Sequence, residues 1–204
     1  MVNLKSNPIL DISDVCIPLD TIALFGNTRD CALEIGFGDG DFLIENALMR
    51  PDTNFIGIEI KKKRFNKAVK KALRLKADNV KFLHMDANIA SSEVFNPDTF
   101  TQIYINFPDP WPKDRHEKNR ILNADLLGKL SRVLTAGGKL LIASDHGDYI
   151  EQVLDTLKQI EIYQNNYPEP GYRHELEERI ETKFEKKFKE EGRKIYYLMF
   201  TNGK

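Results

Sequence analysis

The 204-residue sequence predicts one α/β domain: a mostly parallel central sheet, an antiparallel last strand, and helices on both faces. Three observations lead there. Strand-like and helix-like stretches alternate from residue 31 to residue 157, the rhythm of parallel strands joined by helical crossovers. The first strand candidate, Cys31-Ala-Leu-Glu-Ile-Gly36, is a short apolar run that ends in glycines, as a buried strand does. The tail departs from the rhythm, with a loop-like stretch and then one more apolar run. Residues 1–30 precede the first strand and read as a covering segment; residues 31–204 read as the domain, with no linker inside it.

Each element follows from its spacing. Residues 41–50 place Phe42, Leu43, Ala47 and Leu48 near one helical face, and Pro51 ends the helix. Residues 54–60 are the second strand. Residues 61–77 form a long helix with the stripe Phe65, Ala68, Val69, Ala72, Leu73 and Leu75. Residues 80–85 are a third strand that includes His84, residues 102–107 a fourth, and residues 123–134 a helix. Gly137-Gly138 turns the chain into a fifth strand over 139–144, and residues 149–157 are again helical. Residues 163–173, rich in Asn, Pro, Gly and Tyr, read as a loop; residues 195–200 are the last strand, of edge or antiparallel type.

Composition narrows the class. Apolar residues make up 41% and charged residues 30%, a balance that suits a soluble globular domain. No apolar stretch approaches the roughly 20 residues a membrane helix needs, and residues 1–10 lack the pattern of a signal peptide, so a cytoplasmic protein without membrane contact is expected. Cys16 and Cys31 have no partners at metal-ligand spacing, and His84, His116, His146 and His174 are scattered, so no metal site is expected. The net charge is −1, yet the cations are grouped. Residues 61–76 carry nine Lys and Arg with no acid, and Lys113, Arg115, Lys118 and Arg120 crowd a second stretch. A third group, residues 183–194, is mixed with glutamates. Local fields of this kind suit a polyanion, RNA or DNA, although any one cluster can also be a solvated helix face.

The glycine turn Gly36-Phe37-Gly38-Asp39-Gly40 lets a ligand approach the main chain beyond the first strand. Its G-x-G-x-G spacing differs from that of a dinucleotide site. Glu59, about twenty residues further on at the end of the second strand, suits a pair of ribose hydroxyls. Asp86 ends the third strand and suits a purine amine. Glu34 lies inside a buried strand and needs a partner, either a loop amide or a ligand ammonium. Alone, each acid could be a strand-end cap; three on adjacent strands point to more than caps. The pattern resembles the Rossmann-like fold of class I methyltransferases that use S-adenosylmethionine.

The fourth strand runs into Asn106-Phe107-Pro108-Asp109-Pro110-Trp111-Pro112-Lys113. Three prolines stiffen this loop and hold Asp109 between two aromatic residues, a setting for a flat heterocycle. The run through Arg120 closely resembles the signature of the bacterial tRNA (guanine-N7-)-methyltransferase (TrmB) family. The likeness extends over residues 31–201 and includes Ala143-Ser144-Asp145 and Thr182-Lys183-Phe184-Glu185. It implies S-adenosylmethionine as cofactor, held by Glu34, Gly36, Gly38, Gly40, Glu59, Asp86 and Asp109, with Asp109 also in the catalytic role. It implies tRNA as partner, contacted by Lys113, Asp145, Thr182, Lys183, Phe184 and Glu185, and a monomer or homodimer. The same Thr182-to-Glu185 stretch also reads as the start of an ordinary amphipathic helix. Guanine N7 attacks through a lone pair and needs no deprotonation, so Asp109 is expected to orient and to stabilise charge, not to act as a base. The competing readings are a methyltransferase for another substrate and an RNA-binding module that holds the cofactor without turnover.

Overall fold

The computed structural model describes residues 7–111, 119–177 and 179–204. One seven-stranded sheet is built from β1 (Cys31–Ile35), β2 (Asn54–Ile58), β3 (Val80–Leu83), β4 (Phe100–Asn106), β5 (Leu134–Ser144), β6 (Tyr163–Asn165) and β7 (Tyr196–Asn202). The spatial order is β3-β2-β1-β4-β5-β7-β6. The first five strands pair in parallel, β7 runs antiparallel to β5, and β6 antiparallel to β7. The helices are α1 (Thr21–Phe25), α2 (Asp41–Met49), α3 (Lys62–Leu75), α4 (Ala87–Ile89) with a π-helical turn over Ala90–Val94, α5 (Ala124–Val133), α6 (Gly147–Lys158) and α7 (Lys183–Glu190).

Strand order reverses at β1, which lies between β2 and β4, so the segments that follow β1 and β4 part and open a crevice at the carboxyl ends. Ile35 pairs with Ile58 on one side and Ile105 on the other, which sets Gly36, Glu59 and Asn106 at one level. Side chains alternate across β1. Leu33 and Ile35 face Leu126, Leu130, Ile150 and Val153 of α5 and α6. Ala32 faces the opposite side, where Leu43 and Ala47 of α2 meet Phe65 and Ala68 of α3. Both faces of the sheet are therefore covered, as a parallel sheet requires.

Local chemistry fixes the element ends. Gly40 starts α2 at φ +77°, and a Cβ there would sit 2.6 Å from Ala68 Cβ. The turn between β1 and α2 therefore closes against α3 only with glycine. Gly40→Ala should cost about 2 kcal/mol or more, from backbone strain and overpacking together. Urea denaturation checks this; a loss below about 0.5 kcal/mol would mean that the contact yields easily. On α3, Phe65, Ala68, Val69 and Ala72 are buried, but Leu73, which falls off the stripe at about 100° per residue, and Leu75, the last residue of the helix, are exposed.

Four expectations are corrected. The strand expected over 139–144 begins at Leu134, where α5 ends; Gly137 (φ +72°) lies within it, and the register against β4 shifts between Phe100 and Gln102. The loop expected over 163–173 opens with β6, a three-residue strand that pairs with the outer edge of β7. Its shortness hid that pairing: only Tyr163 faces the core, and Gln164 and Asn165 are exposed. The third strand stops at Leu83. His84 is exposed, not buried in a strand, and its Nε2 lies 3.0 Å from the Ile60 carbonyl oxygen.

Residues 7–30 lie against the sheet. Leu10 N–H donates to the Phe82 carbonyl, Phe82 N–H donates to the Pro8 carbonyl, and Leu19 bridges to Phe95. Leu10, Leu19 and Leu24 are buried there, and the outer edge of β3 is occupied.

Candidate active site

Two cavities of about 250 and 270 Å³ open at the carboxyl ends of β1, β2 and β4. They share Gly36, Arg64, Asn106 and Phe107. The first reaches Glu59, Lys61 and Asp109; the second reaches Glu34, Gly38, Asp41 and the start of α7. At Gly36 (φ +73°) a Cβ would meet open space, so the bare backbone faces the crevice.

Glu59 is buried and ties the loop together: its Oε2 accepts from Gly38 N–H at 2.9 Å and its Oε1 from Lys61 N–H at 2.8 Å. Each oxygen keeps a second lone pair, so the carboxylate retains capacity for hydroxyl donors. Asp86 caps α4, with Oδ1 accepting from Asn88 and Ile89 N–H, and borders neither cavity.

Glu34 is the unusual acid. It is 2% exposed, and its Oε1 accepts from Asn106 Nδ2 at 2.9 Å. Its Oε2 has no hydrogen-bond partner among the described residues, although it borders the second cavity. Burial pushes its carboxyl up to about 7, against the opposing pull of Asn106 and Arg179. A buried, unpartnered oxygen beside a cavity calls for a donor from outside the chain.

The proline-rich loop leaves β4 through left-handed residues, Phe107 at φ +49° and Trp111 at φ +43°. Each such residue costs about 1–3 kcal/mol and persists only where its surroundings impose it. Phe107 N–H donates to the Ala143 carbonyl at 2.7 Å, and its ring lies 5.5 Å from that of Phe188. Arg120 Nε donates to the Pro110 carbonyl at 2.9 Å. Asp109 stands between these anchors, 67% exposed, 3.4 Å from Lys61 Nζ. An exposed pair at that distance holds little energy, so the carboxylate is free to exchange partners. Lys113 lies outside the described residues.

The segment before α7 supplies the far wall. Thr182 and Glu185 form a reciprocal capping box: Thr182 Oγ1 accepts from Glu185 N–H at 2.9 Å, and Glu185 Oε2 accepts from Thr182 N–H at 3.3 Å. Glu185 is 1% exposed, and Tyr197 and Arg179 also donate to it. Thr182, Lys183 and Phe184 border the second cavity. Lys183 pairs with Asp41 at 2.9 Å, and Phe184 lies under the Arg64 guanidinium. Asp145, at the end of β5, is held by Arg193 at 2.9 Å and borders neither cavity.

One central residue went unseen in the sequence. Arg179 Nη2 donates to Asn106 Oδ1 at 2.6 Å and Nε to Glu185 Oε2 at 3.3 Å. The available signal was a lone Arg among Glu175, Glu177, Glu178 and Glu181, three residues before Thr182.

The fold, the glycine turn and the paired cavities define a class I S-adenosylmethionine-dependent methyltransferase. Comparison with known proteins agrees and narrows the group. The model of the family described as "Putative methyltransferase" matches residues 28–198. A Geobacter metallireducens protein named tRNA (guanine-N(7)-)-methyltransferase is 34% identical over 98% of this chain and 95% of its own length. The Thermotoga maritima protein of the same name is 37% identical over 89% of this chain, which spans 57% of that relative. A solved structure described as an antibiotic-related methyltransferase superposes with TM-score 0.66 at 18% identity, covering 97% of this chain and 98% of that one. The chain belongs to the tRNA (guanine-N7-)-methyltransferase family.

Proposed function

We propose that the protein transfers a methyl group from S-adenosylmethionine to N7 of a guanosine in tRNA, the variable-loop guanosine by its family, giving 7-methylguanosine and S-adenosylhomocysteine. The observation that carries this reading is Glu34, which lines one of two adjoining cavities and whose buried Oε2 has no partner among the described residues, while the other cavity reaches the exposed Asp109. S-adenosylmethionine, when bound, supplies an electrophilic methyl carbon on a sulfonium sulfur and carries an ammonium and a ribose. Glu34 would take the ammonium, Glu59 the ribose hydroxyls, and the bare backbone at Gly36 and Gly38 the close approach between them. Gly40 shapes the turn, and Asp86 would meet the adenine through whatever capacity its capping role leaves.

With both ligands bound, the guanine N7 lone pair would take up the methyl carbon, and the electron pair of the broken carbon–sulfur bond would stay on sulfur. No proton moves. Positive charge would grow on the guanine, and the Asp109 carboxylate, carried on its stiff loop, favours it. Phe107 and Phe184 offer faces beside the base, and Thr182 and Lys183 close the wall. Glu185 holds that wall from beneath. Lys113 and Asp145 would contact the RNA further out. α3 supports a polyanionic substrate: Lys63, Lys67, Lys70 and Arg74 recur along one helical face, and Lys63, Lys70 and Arg74 have no acid within ion-pair distance among the described residues. No described helix is long and apolar enough to cross a membrane. A tRNA substrate suits a cytoplasmic activity, and the family likeness suits a monomer or homodimer.

The test of substrate class is methyl-labelled donor offered with unmodified tRNA and, separately, with bulk protein. Label is expected in the tRNA and not in the protein; the reverse would sink the reading. A pH dependence follows from Glu34. Burial raises its carboxyl to about 7, and only the ionised form pairs with an ammonium. Affinity for S-adenosylhomocysteine should therefore rise between pH 6 and 7.5 by roughly eightfold, the ratio of ionised fractions of a carboxyl titrating near 7. Calorimetric titration across that range checks it; a flat profile would remove Glu34 from the ammonium site.

A further inference from the structure

We propose that Arg179 is a positioning residue that couples the two ligands, so that filling the Glu34 end of the crevice and seating the RNA base strengthen each other. This rests on the reading that the crevice holds the methyl donor and the guanosine. The observation is an unbroken chain of polar contacts from the cavity to α7. Glu34 Oε1 accepts from Asn106 Nδ2 at 2.9 Å, Asn106 Oδ1 accepts from Arg179 Nη2 at 2.6 Å, and Glu185 Oε2 accepts from Arg179 Nε at 3.3 Å.

The chain has a fixed sense. An amide has one donor side and one acceptor side, so the bond to Glu34 obliges Asn106 to show its oxygen to Arg179. The guanidinium is planar and spans Asn106 and Glu185 as one rigid unit, which a lysine ammonium on a flexible stem cannot do. Arg179 is also clamped by rings, with Phe42 and Tyr197 centroids 5.1 and 5.3 Å from its central carbon, and its side chain is 9% exposed. Glu185 completes the capping box that places Thr182, so the position of Arg179 sets the entry of α7 and with it the wall formed by Thr182, Lys183 and Phe184.

The near end of the chain is unfinished. Glu34 Oε2 lacks a partner among the described residues, and Glu34 lines the same cavity as that wall. A cation there holds Glu34 in one ionised pose, which fixes Asn106, then Arg179, then α7. By linkage, a base held against α7 returns the same factor to the cofactor.

The experiment measures the affinity of unmodified tRNA with and without saturating S-adenosylhomocysteine. The native protein should bind the tRNA at least about fivefold more tightly when the cofactor product is present. Arg179→Gln should reduce that factor to below about twofold, and Arg179→Lys should fail to restore it. Asn106→Leu cuts the chain one bond earlier, leaves Arg179 on Glu185, and should remove the coupling as well. It keeps the test decisive if Arg179→Gln does not fold. Circular dichroism identifies the folded variants. A coupling factor unchanged in a folded Arg179→Gln, restored by Arg179→Lys, or absent from the native protein would overturn the proposal. Failure to methylate tRNA at all would instead count against the function proposed above, and the two failures separate cleanly.

Discussion

Glu34→Gln is expected to weaken S-adenosylhomocysteine binding about 100-fold while the fold becomes no less stable. The two signs come from one cause. In the native protein the carboxylate is buried, with one oxygen on Asn106 and the other on nothing in the described chain. Removing one partner of a buried, charge-assisted contact costs about 2–5 kcal/mol, so an ammonium left facing a neutral amide loses about two orders of magnitude in affinity. Stability moves the other way. The folded carboxyl titrates near 7, above its ordinary 4.5, so the folded state holds the proton more tightly than the unfolded chain. Stability contributed by the protonated form is complete below about 4.5 and is lost as pH rises through about 7. Glutamine carries no such dependence, and its oxygen can still accept from Asn106. The variant should therefore match the native protein at low pH and equal or exceed it at pH 8. Calorimetric binding and urea denaturation at both pH values check the pair. Lost affinity together with lost stability at pH 8 would make Glu34 a structural residue.

Asp109→Asn should lower turnover on tRNA about 100-fold, with cofactor affinity changed by less than about threefold. The magnitude is that of removing one preorganised group that meets charge developing in the transition state. The side chain is 67% exposed and holds only an exposed pair with Lys61, so melting temperature should not move. The decisive comparison sets Asn against Ala. Asparagine keeps the shape and one hydrogen-bond acceptor but loses the charge. If charge does the work, both variants lose turnover alike. Full turnover in Asp109→Asn, with only cofactor affinity lost in Asp109→Ala, would leave Asp109 an orienting contact for the cofactor.

Much of this was legible along the chain because the relevant chemistry is local. The apolar run of residues 31–35, the glycines beyond it and the acid at Glu59 occupy consecutive βα units, so their spacing alone places them at one end of a parallel sheet. The prolines around Asp109 announced a rigid loop, and the structure holds that loop through left-handed Phe107 and Trp111. The contacts of Glu34, by contrast, arise from pairs 72 residues apart, and those of Arg179 from a pair 73 apart. No periodicity reports such a pair. Thr182 and Glu185 were readable as a substrate-contacting segment or as a helix start, and the structure shows a helix start with a full capping box, of which Thr182 lines the cavity. β6 escaped notice for another reason. It is three residues long, only Tyr163 of it enters the core, and so short a run shows no period-2 pattern.

The central claim is that the crevice between Glu34, Asp109 and α7 delivers a methyl group to a guanine ring nitrogen. The most direct measurement is nucleoside analysis of tRNA after methylation by the purified protein. The digested RNA should yield 7-methylguanosine as the methylated product, and about one-hundredth as much with Asp109→Ala at matched time and concentration. A different methylated nucleoside from the native protein, or label on the ribose, would contradict the account.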